Sequence, residues 1–558
     1  MIIYQILFAT ISIIFLFSYY YTIGFFLYPI LFCNKKESRI RLNENIFLGL
    51  IANILFLYSW NLFFPINGKG FLIFILICLL IGIKSGSLND IKNIAVRFRP
   101  KFFIFIITIS IWLGFLSNNS IGPYDLGLYH LQVIKWAESF HVIKGIGNLH
   151  HRLGYSCSSW LLTSQFNVFF ETKLFLWTHG AIYLLIGFIN FLYVPVFSKI
   201  QIKKSEKIIR VLYLPILVNL CFSSFPGTSS DLPVFLFTSI ISLYYFKFIC
   251  CKENNSLNMI FVILVLGVSS KLTFGAVIIG LIIPFTFIII KRMVTLNYLN
   301  RGIILLSFST FILWSCRNVI MTGYLLYPYA GISFPVEWKM DRSKVEREKN
   351  QVIAYAREYA DLKVFDNKER LSWYLNKIIR VQHRKIEIYY PLIIGIFGLF
   401  YSIVFIKKNL YQIIILVLPS LVPIFLWIQI PGSRFFSSSF WWFGIMLLAF
   451  PITRMMKNLN YIYFYLLIII LSISVQTFDR LGSPKNFFPM YIRSKIPNIA
   501  IQKITNAKGM TYFSPKDGDQ CWDSPLPCSP EQKFWIKNII QNNKNELKRG
   551  FKLKKSDK

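Results

Sequence analysis

Charge is scarce in this chain, and acidic charge scarcest. Of 558 residues only 15% are Asp, Glu, Lys or Arg, with 25 acids against 60 bases. A water-exposed globular protein carries about a quarter charged residues, so a soluble domain is excluded. Histidine is rare too, six in all, and no HExxH-like spacing joins them, which gives no metal signature. No period of 20 to 50 residues recurs, as a solenoid would require. The N-terminus, MIIYQILFAT, lacks the basic n-region of a cleavable signal, so the first segment reads as a retained span.

What fills the chain instead is apolar: 55% hydrophobic and 18% aromatic residues, with mean hydropathy +0.54. Apolar runs of bilayer-spanning length recur. They lie at approximately 2–32, 46–66, 70–85, 102–117, 157–170, 174–198, 208–225, 232–250, 257–270, 272–290, 303–320, 387–406, 410–430, 435–453 and 460–476. The expected fold is an all-α polytopic membrane domain over 1–476, with about 12–14 transmembrane helices. Its longer polar loops fall at about 118–156 and 321–386, and an extramembrane tail covers 477–558.

The net charge of +35 does not point to nucleic acid. The bases cluster in short loops between spans: Lys35, Lys36, Arg39 and Arg41; Lys92, Arg97, Arg99 and Lys101; Lys199, Lys203, Lys204, Lys207 and Arg210; Lys291 and Arg292; Lys407 and Lys408; Arg454 and Lys457. Such loops are retained on the cytoplasmic side. Crossing one span from each places Asp125, Asp231, Lys271, Arg317, Arg434 and the tail together on the outer face. Three apolar segments separate Asp125 from Asp231, an odd number, so one must fall short of a full crossing. The short 157–170 stretch is the candidate.

The loop from Ser117 to Ser156 holds four of the histidines and opens, just past a hydrophobic helix, with Asp125. Polar groups at a membrane boundary are costly unless used. A carboxylate there can serve as general base, against the competing role of helix N-cap. Asp231, in SSDLP, is likewise either a helix start or a second acid that positions an acceptor or a divalent metal. Lys271, Arg317 and Arg434 are cations at outer helix ends. Each alone fits snorkelling to headgroups; together they fit a phosphate clamp. His130 is placed to orient substrate. The 321–386 stretch, rich in Arg and Lys among acids, reads as a solvated helical face on the membrane. Cys521 and Cys528, with six residues between them in the polar tail, form a candidate disulfide, which would need an oxidising compartment.

In their order, GPYDLGLYH, SSDLP, GVSSKLT, RNVIMTGYLLYP and PGSRF resemble the GT-C superfamily of integral-membrane glycosyltransferases, nearest the protein O-mannosyltransferase and aminoarabinose-transferase branch. The YDLGLYH…GNLHHRLGYSCSSW loop and CWDSPLPC tail are similar to a bacterial polytopic family of surface-polysaccharide loci. The resemblance implies transfer of a hexosyl or pentosyl unit from a polyprenyl-phosphate donor to a glycan, lipid or protein acceptor, outside the cytoplasmic membrane. Asp125 and, behind it, Asp231 would be catalytic, and Arg434 would contact donor phosphate. The chain has YDLGLYH rather than an adjacent acidic pair, which leaves a metal requirement open. A polysaccharide polymerase or ligase, and a lipid-linked-sugar flippase or transporter, are the rival readings.

Overall fold

The fold is taken from a computed structural model that describes residues 2–32, 42–85, 87, 100–117, 124–167, 175–197, 202–223, 227–290, 299–357, 385–405, 410–455, 496–506, 508–530, 536, 539–541 and 546–553. Helices of eight or more residues are numbered in chain order. The first nine are α1 Ile2–Phe32, α2 Leu42–Asn61, α3 Gly68–Ser85, α4 Pro100–Ser117, α5 Leu131–Ser139, α6 Ser158–Asn167, α7 Ala181–Phe188, α8 Lys204–Leu212 and α9 Leu214–Ser223. Then come α10 Asp231–Cys251, α11 Asn255–Ser270, α12 Gly275–Ile290, α13 Arg301–Thr322, α14 Arg342–Ala356, α15 Lys385–Phe405, α16 Leu410–Gln429 and α17 Ser433–Met455.

Eight described helices, α1–α4, α10, α13, α15 and α16, are long and apolar enough to cross a bilayer. Four shorter apolar stretches lie among them: Ala181–Val196, Asn255–Ser270, Leu272–Phe287 and Phe435–Ala449. The chain is a multi-pass membrane protein. Its lipid-facing side is visible on α3, where Leu72, Leu76, Leu80 and Ile83 form an exposed stripe at helical spacing. Inside, small residues let backbones touch. A Cβ on Gly24 would meet the Asn45 carbonyl, and one on Gly49 the Tyr20 carbonyl, which is why α1 and α2 pack so closely.

The chain is mostly helical, as expected of an all-α polytopic protein, and the strands it has are short. Three two-stranded antiparallel sheets are present: β1 Tyr324–Leu326 with β2 Tyr329–Ser333, β3 Ile501–Thr505 with β4 Thr511–Pro515, and β5 Ile539–Gln541 with β6 Phe551–Leu553. All lie in polar stretches, where hairpins satisfy backbone groups that no apolar helix takes up.

Helix ends sort into two sets. At one end, called here the loop end, the C-terminus of α2 meets the 124–156 loop: the Val142 N–H donates to the Asn61 carbonyl at 2.7 Å, and Ile66 N–H to Ala137 carbonyl at 2.8 Å. At the other end, Arg210 pairs with Glu206 at 2.7 Å and donates to Asn190, which bonds Asn43 at the start of α2. Lys203 and Lys204 lie there too, Lys203 donating to the Cys250 carbonyl at 3.2 Å. Most of the other basic loops, and the 460–476 segment, fall outside the described residues.

The short segment behaves as its length dictates. Helix α6 has ten residues, about 15 Å at 1.5 Å per residue, half a bilayer. It is wholly buried, and its Gln165 donates to Asn53, halfway along α2, at 3.1 Å. The path then continues through α7 and a π-helical turn, Ile189–Tyr193, to the opposite end. Between Asp125 and Asp231 the chain therefore goes down once, in broken pieces, and returns once.

Candidate functional site

At the loop end the polar side chains gather in two groups. The first surrounds Asp125. Asp125 precedes a π-helical turn, Leu126–His130, yet its side chain makes no capping hydrogen bond. Capping alone therefore does not account for it. Its carboxylate instead accepts from the Arg152 guanidinium at 3.3 Å; the side chain is 18% exposed. Arg152 lies over the Tyr129 ring at 5.7 Å and is anchored from behind by Glu348, 4.0 Å away.

Glu348 is the deep end of this group, its side chain 0% exposed. It stands 2.8 Å from the His151 imidazole and accepts a hydrogen bond from the Tyr155 hydroxyl. Burial pushes its carboxyl upward, but attraction to His151, the hydrogen bond from it, Arg152 and Tyr155 outweigh that and hold it below the usual carboxylate range. Arg152 in turn is pulled down by burial but held above its ordinary value, chiefly by Glu348. Next door, His150 is pushed well below its ordinary value by burial, then by the charges of His151 and Arg152; it is neutral at pH 7.

Within 321–386, Arg342, Arg347 and Lys349 of α14 are exposed, as a solvated face requires, but the other side of the helix is not. Helix α14 buries Val345, Glu348, Ala354 and Ala356, and its glutamate organises the loop rather than meeting solvent. Residues 358–384 lie outside the described residues. Glu348 and Arg152 were not singled out by sequence. One signal was there: Glu348 stands three residues after Val345 and four before Val352, an apolar-stripe position that a solvated glutamate would not occupy.

The second group surrounds Asp231, the first residue of α10, with Ser230 as its N-cap residue. Its carboxylate is ion-paired with Lys271, at the C-terminus of α11. The Lys271 ammonium also lies 4.5 Å from the centre of the Phe435 ring, so it is held by the protein and not snorkelling alone. Just inside, Ser158 at the start of α6 contacts the hydroxyls of Ser270 at 3.1 Å and Ser269 at 3.2 Å. Arg434 sits in the first turn of α17, one residue before Phe435; its side chain is outside the described residues.

Thr228 links the two groups. Its hydroxyl pairs with His130 Nδ1 at 3.1 Å, and its carbonyl accepts from the Trp160 indole at 3.1 Å. His130 is buried at 3% exposure against Trp160, so it joins the Asp125 loop to the Asp231 loop. Arg317, near the end of α13, is 6% exposed and donates to the Asn61 side chain; it too is packed inside rather than snorkelling. Among the described residues no carboxylate forms an ion pair with it, and no group of three His, Cys, Asp or Glu is arranged to hold a metal ion.

The tail closes over the first group. Cys521 and Cys528 are joined in a disulfide. The short loop they close lies on the Asp125 segment. Trp522 N–H donates to Gly127 carbonyl at 2.8 Å, and its indole lies so close that a Cβ on Gly127 would stand 2.4 Å away. Gln132 donates to the Trp522 and Ser524 carbonyls at 2.9 and 3.1 Å. Lys135 pairs with Asp523 at 3.1 Å, and the Tyr124 hydroxyl donates to Asp519. A loop of the tail and a loop after the fourth span thus form one wall.

A model of the family described as "Domain of unknown function (DUF8201)" matches residues 6–441, most of the chain, which therefore belongs to that family. No curated protein and no solved structure matches it.

Proposed function

We propose that this family member is a membrane glycosyltransferase that moves a sugar from a polyprenyl-phosphate donor to an envelope glycan, lipid or protein acceptor. The reaction would take place on the outer face of the cytoplasmic membrane. The observation that carries the reading is Asp125: a part-exposed carboxylate with no capping bond, aimed by an arginine that a fully buried glutamate fixes. Such fixed geometry is what a general base needs. Asp125 would take the proton of an acceptor hydroxyl as its oxygen bonds to the anomeric carbon. The bond from that carbon to the phosphate oxygen breaks, and the electron pair leaves with the polyprenyl phosphate.

Lys271, with the start of α17 that carries Arg434 beside it, would meet the charge growing on that phosphate. Asp231 would set the position of Lys271 through their ion pair. Arg317 would lend its field from inside, and His130 would hold the two loops in register. Each acid is matched by a cation, Asp125 by Arg152 and Asp231 by Lys271, which favours a mechanism without a divalent ion. The disulfide on the same wall as Asp125 fits an oxidising compartment outside the cytoplasm.

One observation favours a second reading. The crossing between Ser158 and Val196 is interrupted, with Gln165 and Asn53 bonded in its buried interior. Transporters build binding sites from broken helices of this kind, so a lipid-linked-sugar flippase is the rival; a polymerase or ligase would use the same donor class. The test is transfer from a panel of polyprenyl-phosphate sugars in proteoliposomes, comparing wild type with Asp125→Asn. Loss of most transfer by a folded mutant supports the assignment, and full retention removes Asp125 from the mechanism. If wild type moves lipid-linked sugar across the bilayer without transferring it, the flippase reading replaces this one.

A further inference from the structure

A cleft of about 510 Å³ opens at the loop end, apart from both acidic groups. Three distant segments wall it: His141 with Lys144, Glu337 with Trp338, and the tail's Lys548, Arg549 and Lys552. The walls are locked together by backbone. The Phe551 N–H donates to the Lys144 carbonyl at 2.9 Å. Buried Asn148 donates to the carbonyls of Trp338 at 2.8 Å and Phe551 at 3.4 Å. Two glycines make the approach feasible: Gly145 at φ +65° and Gly550 at φ +87°, whose added Cβ atoms would lie 2.1 Å from the Phe551 oxygen and 2.2 Å from the Lys144 oxygen. The cleft is thus a built feature of the docked tail and not a gap between loose segments.

Its chemistry is one-sided. Four cations line it, and the carboxylates beside them are Glu337, 3.2 Å from Lys552, and Glu546, 2.6 Å from Arg549. Among the described residues the formal balance, four positive charges less two negative with His141 counted neutral, is +2. Trp338 is oriented by its indole N–H, which donates to the Val319 carbonyl at 3.0 Å, and Lys144 lies 5.3 Å from the centre of its ring. Among the described residues no aliphatic side chain lines the cleft, which gives a lipid tail little to lie against. The volume falls in the range of sites that enclose small ligands, about 300–1,000 Å³.

We propose that this cleft binds an anionic saccharide, a glycan segment whose sugar units carry carboxylates. The cations would hold the anionic groups as exposed, salt-sensitive pairs, and the Trp338 ring would offer a rigid apolar face to a sugar's C–H surface. With the transferase reading it shares only the placement of the loop end outside the cell; it does not need Asp125 to be catalytic.

The test is equilibrium binding to the full-length protein in nanodiscs of zwitterionic phosphatidylcholine, with oligogalacturonate as probe and a neutral maltooligosaccharide as control. The expected result is binding of the acidic oligomer alone, weakened by salt. Lys548→Glu with Arg549→Glu, both exposed, should weaken it by about tenfold or more. Trp338→Ala should weaken it while the salt dependence stays. Equal binding of the neutral oligomer, equal binding by the charge-reversed variant, or no binding of oligogalacturonate overturns the proposal. So does binding of short-chain phosphatidylglycerol, and not of oligogalacturonate, by the wild type and not by the charge-reversed variant, which would make the cleft a headgroup site. Because transfer is not read, a failure of the transferase reading leaves this result intact.

Discussion

Glutamine in place of Glu348 would remove the charge at the buried end of the Asp125 group and keep the volume. Removing one partner of a buried ion pair costs about 3–5 kcal/mol. The lower end applies, because Arg152 retains Asp125 and is 26% exposed, and glutamine still accepts from Tyr155. About 3 kcal/mol is roughly a hundredfold in a local opening constant. Amide hydrogen exchange reads that constant by segment. Residues 126–155 and α14 should exchange about a hundredfold faster in Glu348→Gln, while α2 and α10 stay at wild-type rates. Tyr155→Phe should be strongly non-additive with it, as for any pair in one network. Exchange at the wild-type rate in the loop would refute the claim that Glu348 holds Arg152, and with it the claim that Asp125 is aimed. The sign of the pH effect follows from the same carboxyl. Its folded value lies below its ordinary one, so its contribution is present at neutral pH and is lost as pH falls through the folded value.

His150 acts in a milder range. Its folded value lies well below 6.5, so the unfolded chain takes up a proton first, and stability should fall as pH drops below about 6.5, by up to about 1.4 kcal/mol per pH unit. His150→Gln should flatten that part of a thermal-denaturation profile, and an unchanged profile would count against a neutral buried imidazole. At the second group, Lys271→Met strands the Asp231 carboxylate. Allowing for side chains 19% and 20% exposed, the cost should be about 2 kcal/mol. Adding Asp231→Asn should recover much of the lost thermal stability; a double mutant as unstable as the sum of the singles would dissolve the pair.

The two acids show where local reading ends. Both were visible as carboxylates at the ends of apolar helices, and each carried a capping alternative that sequence could not remove. Asp125 forms no cap bond, whereas Asp231 begins its helix and is ion-paired as well. Both are ion-paired, with partners 27 and 40 residues away, outside any helical period. Cations at helix ends read as one clamp, but Lys271 is committed to Asp231 and Arg317 to Asn61. Which neutral or acidic group meets a given cation depends on how neighbouring helices rotate, and composition carries no trace of that.

By itself the sequence determined that this is a multi-pass membrane protein, because a bilayer demands apolar helices of fixed length and the chain repeats them. It also marked the loop after the fourth span and the cysteine pair in the tail, since polar residues stand out where apolar ones are the rule. Only the tertiary structure decided that the loop, α14 and the tail form one wall. Tyr124 meets Asp519 across 395 residues, and Tyr155 meets Glu348 across 193. Contacts of that reach come from close packing of surfaces built by separate segments, and each segment alone reads as an ordinary polar stretch.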